Sequence, residues 1–253
     1  MPAIELVQFR FSHYNEKARW ALDHKRIPHT RRSLLPGPHL PILRRMTGGT
    51  QVPVLRIDGE LVIGSSAILA RLEADYPERP LYPERPEWRA RALEVQRLFD
   101  EEVGAEARRA LFLELLQDAR YAARCFTQGF GAATSAIYGL AFPMTRAAMR
   151  RAMDLDPGRQ EAALTALTRG LDFVAEHAGP DGFLVGDRFS IADLTAASLL
   201  QLVSFPRELE FGLPEPRSPR MERWLARWST HPGAAWVTET YRAHRPASAE
   251  VAA

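Results

Sequence analysis

A chain of 253 residues, 46% hydrophobic and 25% charged, can bury the core of one large domain or of two smaller ones. Its formal charge of +2 is too slight a basic excess, with too little aromatic interleaving, for a nucleic-acid surface. The single cysteine, Cys125, excludes an intramolecular disulfide and an all-cysteine zinc site. The start, MPAIELVQFRF, lacks the long apolar core and cleavage site of a secretion signal, so a cytoplasmic setting is expected. Charge is unevenly spread: residues 1–76 carry 11 Lys/Arg against 7 Asp/Glu, which suits a small anionic ligand.

In chain order, Ile4 to Phe11 alternates loosely and reads as a strand ending at a Ser12 turn. Tyr14 to Lys25 has helical spacing, with Ala18, Ala21 and Leu22 on one face, and Arg26-Ile27-Pro28 stops it. His29 to Leu35 reads as a second strand, parallel to the first by a right-handed crossover. Prolines 36, 38 and 41 with Gly37 mark an irregular stretch before a short helix around Ile42 to Met46. Val54 to Ile57, the turn pair Asp58-Gly59 and Leu61 to Ile63 form a hairpin. Ser65-Ser66 then open the helix AILARLEADY. The resulting β-α-β-α-β-β-α order is the thioredoxin-like α/β arrangement.

Residues 77–88, PERPLYPERPEW, hold four prolines and read as a stiff linker between a domain at 1–76 and one at 89–245. The second domain is all-α: Glu87 to about Phe126, a broken segment through Gly129–Tyr138, Pro143 to Met153 and Gly158 to Ala178. Within it lie 21 residues without formal charge, 125–145, as long as a membrane span of about 20 apolar residues. Thr, Gln, Ser, three glycines and Pro143 dilute the run, so a buried helical pair lining a pocket is expected and membrane contact is disfavoured. Ser190, followed three residues on by Asp193 and an apolar run, reads as a capping box. Arg108-Arg109 and Arg150-Arg151 read as solvated helix faces. Residues 246–253, small and polar, read as a mobile tail.

Three motifs carry a family resemblance: QVPVL with its Asp-Gly hairpin and small-Ser-x-Ala-Ile helix start, the Ser12 turn, and Gly-Asp-x-x-Ser-x-Ala-Asp at 186–193. Together they resemble the cytosolic glutathione transferases of the serine type. Ser12-His13-Tyr14-Asn15-Glu16-Lys17 also matches the spacing of a glutaredoxin-like Cys-Pro-Tyr-Cys followed by Lys, but has no sulfur at either end. Disulfide exchange needs a protein thiolate, so dithiol chemistry is excluded there. The resemblance implies that Ser12 donates a hydrogen bond to the thiolate of bound glutathione, as co-substrate, with Tyr14 and Asn15 as further candidate donors. It implies a cis bond before Pro53, Val52 pairing with the cysteinyl backbone, a Gln51 side-chain contact, and Ser66 receiving the γ-glutamyl carboxylate. Ser65 stands where the family usually has an acid for the α-ammonium. His39, Arg44 and Arg45 are the candidate cations for the glycyl carboxylate.

By position and type, Tyr14, Phe112, Phe126, Phe130, Tyr138 and Phe142 are candidate walls for an apolar electrophile. The activity implied is thiolate attack on that electrophile, a detoxification-type conjugation or thiolytic cleavage, by a homodimer. Two alternatives stay open: a non-catalytic glutathione- or ligand-binding protein, and a membrane-associated relative.

Overall fold

The structure, a computed structural model, describes residues 4–252. Four strands form one sheet in the order β2-β1-β3-β4: β1 Ile4–Gln8, β2 Thr30–Ser33, β3 Val54–Ile57 and β4 Glu60–Ile63. β1 is parallel to β2 and antiparallel to β3, with Val7 opposite Val54. The helices α1 (His13–His24), α2 (His39–Thr47) and α3 (Ser65–Asp75) complete the thioredoxin-like order.

Strand alternation explains how this layer is built. Ile4, Leu6, Leu55 and Ile57 face the large core shared with α1 and α3, while Val7 and Val54 face Leu43 of α2 on the other side. Asp58 and Gly59 both take positive φ, 50° and 87°, as the tight β3–β4 hairpin requires. This geometry brings the end of β1, the start of β3 and the start of α3 to one edge of the sheet.

The second half is helical: α4 Pro86–Leu98, α5 Gly104–Leu115, α6 Ala119–Phe126, α7 Ala132–Ala152, α8 Gln160–His177, α9 Ile191–Leu200, α10 Pro219–Trp228 and α11 Pro232–His244. A π-helical turn, Phe99–Val103, joins α4 to α5. The helical stretch expected from Glu87 to about Phe126 contains a break at 116–118, where Asp118 caps α6 by accepting from Tyr121 N at 3.0 Å. α4 begins at Pro86, inside the stretch expected as linker, because proline's missing N–H is harmless in a first helical turn. The preceding residues are fastened: the Glu73 carboxylate accepts from the Leu81 and Tyr82 N–H groups at 3.0 and 3.1 Å.

Two further expectations fail. Residues 129–153 are not a broken pair: α7 runs unbroken through Pro143. Gly139, whose carbonyl loses its partner to that proline, lies at the exposed surface and not in the core. Nor is α7 buried. Only Tyr138, Phe142, Thr145 and Met149 face inward, while Ile137, Leu140 and Met144 are 69%, 85% and 80% exposed. No helix among the described residues is long and apolar enough to cross a membrane.

The C-terminal segment, expected to be mobile, is pinned to the first domain. Arg245 pairs with Glu16 at 2.7 Å and Asp23 at 2.9 Å. Asp23 also accepts from Ala249 N at 2.8 Å, and Val251 N donates to His29 O at 2.9 Å. α1 and α9 pack across the domain boundary, where Trp20 stacks on Phe189 and meets Tyr241 at a tilt.

Candidate functional site

Ser12 is half-buried and caps α1 in extended backbone geometry, its Oγ 3.4 Å from Asn15 N. A second donor, Asn15 Nδ2, reaches the same Oγ at 2.6 Å. With the Asn15 amide oriented so, the oxygen accepts both bonds and the hydroxyl proton is left for an anion at the front of the helix, while Asn15 Oδ1 stays buried without a partner. Asn15 is fully buried, with its amide nitrogen on Ser12 Oγ. Tyr14 is not a backup donor either: its hydroxyl donates to the Asp100 carbonyl at 2.9 Å, and burial pushes its pKa up to about 12. His13 donates from Nε2 to the Gly104 carbonyl at 2.8 Å. Burial, and then the Arg108 guanidinium, lower its pKa to about 3, so the ring is neutral at pH 7.

The bond before Pro53 is cis. Val52 is half-buried, and neither its N–H nor its C=O has a hydrogen-bond partner among the described residues. Gln51 beside it is exposed. Gly64 N returns to Pro53 O at 2.9 Å, which ties the start of α3 to this ledge. Ser65 is the first residue of α3 and is buried.

The side chain of Ser66 does something else than expected. Its hydroxyl donates to Asp100 Oδ2, and Lys17 Nζ reaches Ser66 Oγ at 3.0 Å. Lys17 also pairs with Asp100 at 2.7 Å and has no exposed side-chain surface. Two charges removed from water at the domain boundary need every available polar partner, and Ser66 is one. Burial lowers the Lys17 pKa and the Asp100 carboxylate opposes that shift.

His39 is a poor cation: its Nδ1 accepts from Gly37 N at 3.0 Å, it packs edge-on against Phe9, and burial lowers its pKa. Arg44 and Arg45 lie exposed in the last turn of α2. Most of the expected electrophile walls are core. Phe112 and Phe126 pack on Phe11, Phe142 packs on Phe126, and Tyr138 packs on Phe142 with its hydroxyl on Pro36 O at 3.0 Å. Phe130 stacks on the guanidinium of Arg10, whose Nη1 donates to Gln128 O at 2.7 Å. Arg108, expected on a solvated face, is half-buried beside His13 and Tyr14. Asp100 and Arg108 had no local motif to mark them, and the Ser12–Lys17 run that contains Lys17 did not reveal its partner. The one available signal was that Gly104, Arg108 and Phe112 recur every four residues, on one helix face.

Asp193 is a structural cap. Its carboxylate accepts from Leu184 N at 2.7 Å, Ser190 N at 2.9 Å and Ser190 Oγ at 3.0 Å. Burial outweighs these bonds and raises its pKa to about 6.

Comparison with known proteins gives two family matches along the chain. Residues 6–80 match the family model described as glutathione S-transferase, N-terminal domain, and residues 146–227 match the glutathione S-transferase C-terminal domain. A search of curated proteins gives no match. Among solved structures, the glutathione transferase GSTFuA3 from Phanerochaete chrysosporium is 20% identical with a TM-score of 0.63, over 97% of this chain and 98% of that one. The beta-etherase LigF from Sphingobium sp. strain SYK-6 is 18% identical with a TM-score of 0.60, over 94% and 99%. A theta class glutathione S-transferase from Xanthomonas axonopodis pv. citri, solved with glutathione bound, is 22% identical with a TM-score of 0.55, over 98% and 99%. The two family matches together span more than half of the chain, which belongs to the glutathione S-transferase superfamily.

Proposed function

We propose that this protein is a glutathione transferase in which Ser12 stabilises the glutathione thiolate for attack on an electrophile. The observation that carries this reading is the state of Ser12: half-buried at the front of α1, its oxygen fixed by two Asn15 donors and its proton uncommitted. Lowering a thiol pKa by about two units needs roughly 2.7 kcal/mol of preference for the anion. One charge-assisted hydrogen bond of about 1.5–3 kcal/mol, helped by the positive end of α1, is of that size.

The rest of the tripeptide fits the same edge of the sheet. The unpaired Val52 N–H and C=O would take the cysteinyl backbone, Gln51 would add a side-chain amide, and the first N–H groups of α3 at Ser65 and Ser66 would face the γ-glutamyl carboxylate. The Ser66 hydroxyl is withdrawn from that role. Arg44 is the better candidate for the glycyl carboxylate, since His39 is held neutral. Family membership implies a homodimer, for which Leu61 and Ile63 on the edge strand β4 and Leu93 on α4 offer exposed apolar side chains. The buried lone thiol of Cys125 accords with a reducing cytoplasmic setting.

A second reading, a glutathione- or ligand-binding protein without turnover, is favoured by the close packing of the expected electrophile walls. Glutathione and 1-chloro-2,4-dinitrobenzene decide between them. Turnover that falls about 10- to 100-fold in Ser12→Ala supports the transferase. Glutathione binding without turnover in the wild type supports the binder.

A further inference from the structure

Between β1 and α1, residues 9–12 belong to neither strand nor helix, so no ladder of backbone bonds sets the height of the turn that ends at Ser12. Within the turn, Ser12 N donates to the Arg10 carbonyl at 3.1 Å. The turn is also gripped from α1, by the buried side chain of Arg19. Arg19 Nη2 donates to that same Arg10 carbonyl at 3.2 Å, and Nη1 to the Phe9 carbonyl at 3.3 Å. Nη1 also reaches Gln8 Oε1, at the end of β1, at 2.6 Å.

The guanidinium is itself oriented from the other side. Arg19 Nε donates to Glu16 Oε2 at 2.8 Å, while Glu16 Oε1 takes Arg245 Nε at 2.7 Å. Each carboxylate oxygen thus has its own arginine, and Glu16 fixes one edge of the planar fork while the other edge holds the turn. Phe211 lies against the guanidiniums of both Arg10 and Arg19, at 5.2 and 5.6 Å from its ring centroid. An ion pair with Glu16 would need a single donor. Arg19 spends its remaining N–H groups on three acceptors at positions 8, 9 and 10, immediately before Ser12.

We propose that Arg19 is a positioning residue for Ser12: its fork fixes the turn at residues 9–12 and so sets where the serine Oγ stands at the front of α1. This rests on the transferase reading and deepens it. A hydrogen bond to a thiolate is lost when its donor moves by about 1 Å, so a residue that holds the donor acts on the rate without touching glutathione.

The test sets Arg19→Lys against Arg245→Gln. Arg19→Lys keeps a positive charge beside Glu16 but cannot reproduce the fork. Arg245→Gln weakens the same network at its far end and leaves Arg19 on Glu16 and on the turn. Both variants should melt below the wild type. Only Arg19→Lys should raise the pKa of the bound glutathione thiol, by about one unit, and lower kcat at pH 7 about 5- to 10-fold, with the KM for glutathione within about twofold. In ligand-free protein, hydrogen exchange at the Ser12 amide should be as slow in the wild type as in the body of α1, and at least about tenfold faster in Arg19→Lys alone. An unshifted thiol pKa in Arg19→Lys, or equal shifts in the two variants, would overturn the proposal by reducing Arg19 to a stabilising ion pair. So would rapid exchange at Ser12 in the wild type, a result that needs neither variant to fold. Calorimetry with glutathione on the wild type keeps the two readings apart: no binding ends the transferase account, while the exchange rates still decide whether Arg19 holds the turn.

Discussion

At the scale of single residues, the direction of one hydrogen bond decides what Ser12 can do. Asn15 gives Ser12 two donors and takes none of its proton. Asn15→Asp keeps the size of the side chain but replaces the amide donor with an acceptor for the serine hydroxyl. The expected outcome is a loss of about 10- to 100-fold in kcat/KM for glutathione conjugation with the fold intact by circular dichroism. An unchanged rate would detach Asn15 from the mechanism. The Ser12 turn, the Val-Pro step and the Asp-Gly hairpin were legible because each is a local sequence pattern with a local conformational cause. Ser66 was misread because its partners, Lys17 and Asp100, lie 49 and 34 positions away in the chain. The same trio gives a stability prediction. Lys17→Met leaves Asp100 uncompensated and should cost about 3–5 kcal/mol in urea unfolding, with part recovered in the Lys17→Met/Asp100→Leu double variant.

At the scale of elements, α9 and α7 are opposite cases. α9 is buried along its whole length and starts from a capping box that the sequence announces outright. Asp193→Ala orphans the Leu184 and Ser190 N–H groups in the interior, so about 2–4 kcal/mol of stability should be lost by chemical denaturation, against little change if the cap were decorative. α7 was misread because glycine and proline were taken as breaks and uncharged residues as buried. A helix packed along a single stripe can carry Pro143 on its solvent side, where the Gly139 carbonyl that loses the N–H is exposed. The aromatic residues were legible as a cluster, but sequence does not say whether a cluster fills its own centre. Here it does.

At the scale of the molecule, the two halves are held by the Trp20 contacts, the Lys17–Asp100 pair and the Arg245 latch. Glu16 in that latch is fully buried; burial raises its pKa, but Arg245 and Arg19 outweigh this and hold it below its ordinary 4.5. A depressed carboxylate stabilises the fold above its unfolded pKa and loses that contribution as pH falls through its folded value. Stability should therefore drop below about pH 4.5, less steeply in Glu16→Gln, as read by thermal unfolding across pH. Asp193 runs the other way: raised to about 6, it lowers stability as pH climbs from its ordinary 3.8. The two-part architecture was legible from element order and the proline-rich boundary; the latch was not, because it joins residues more than two hundred positions apart.

The central claim concerns a thiolate, and the ultraviolet absorbance of that anion reports it directly. Glutathione bound to the wild-type protein should titrate about two pH units below free glutathione, and Ser12→Ala should return it close to the free value. A bound thiol with an unshifted pKa, or one shifted equally in both proteins, would contradict the account.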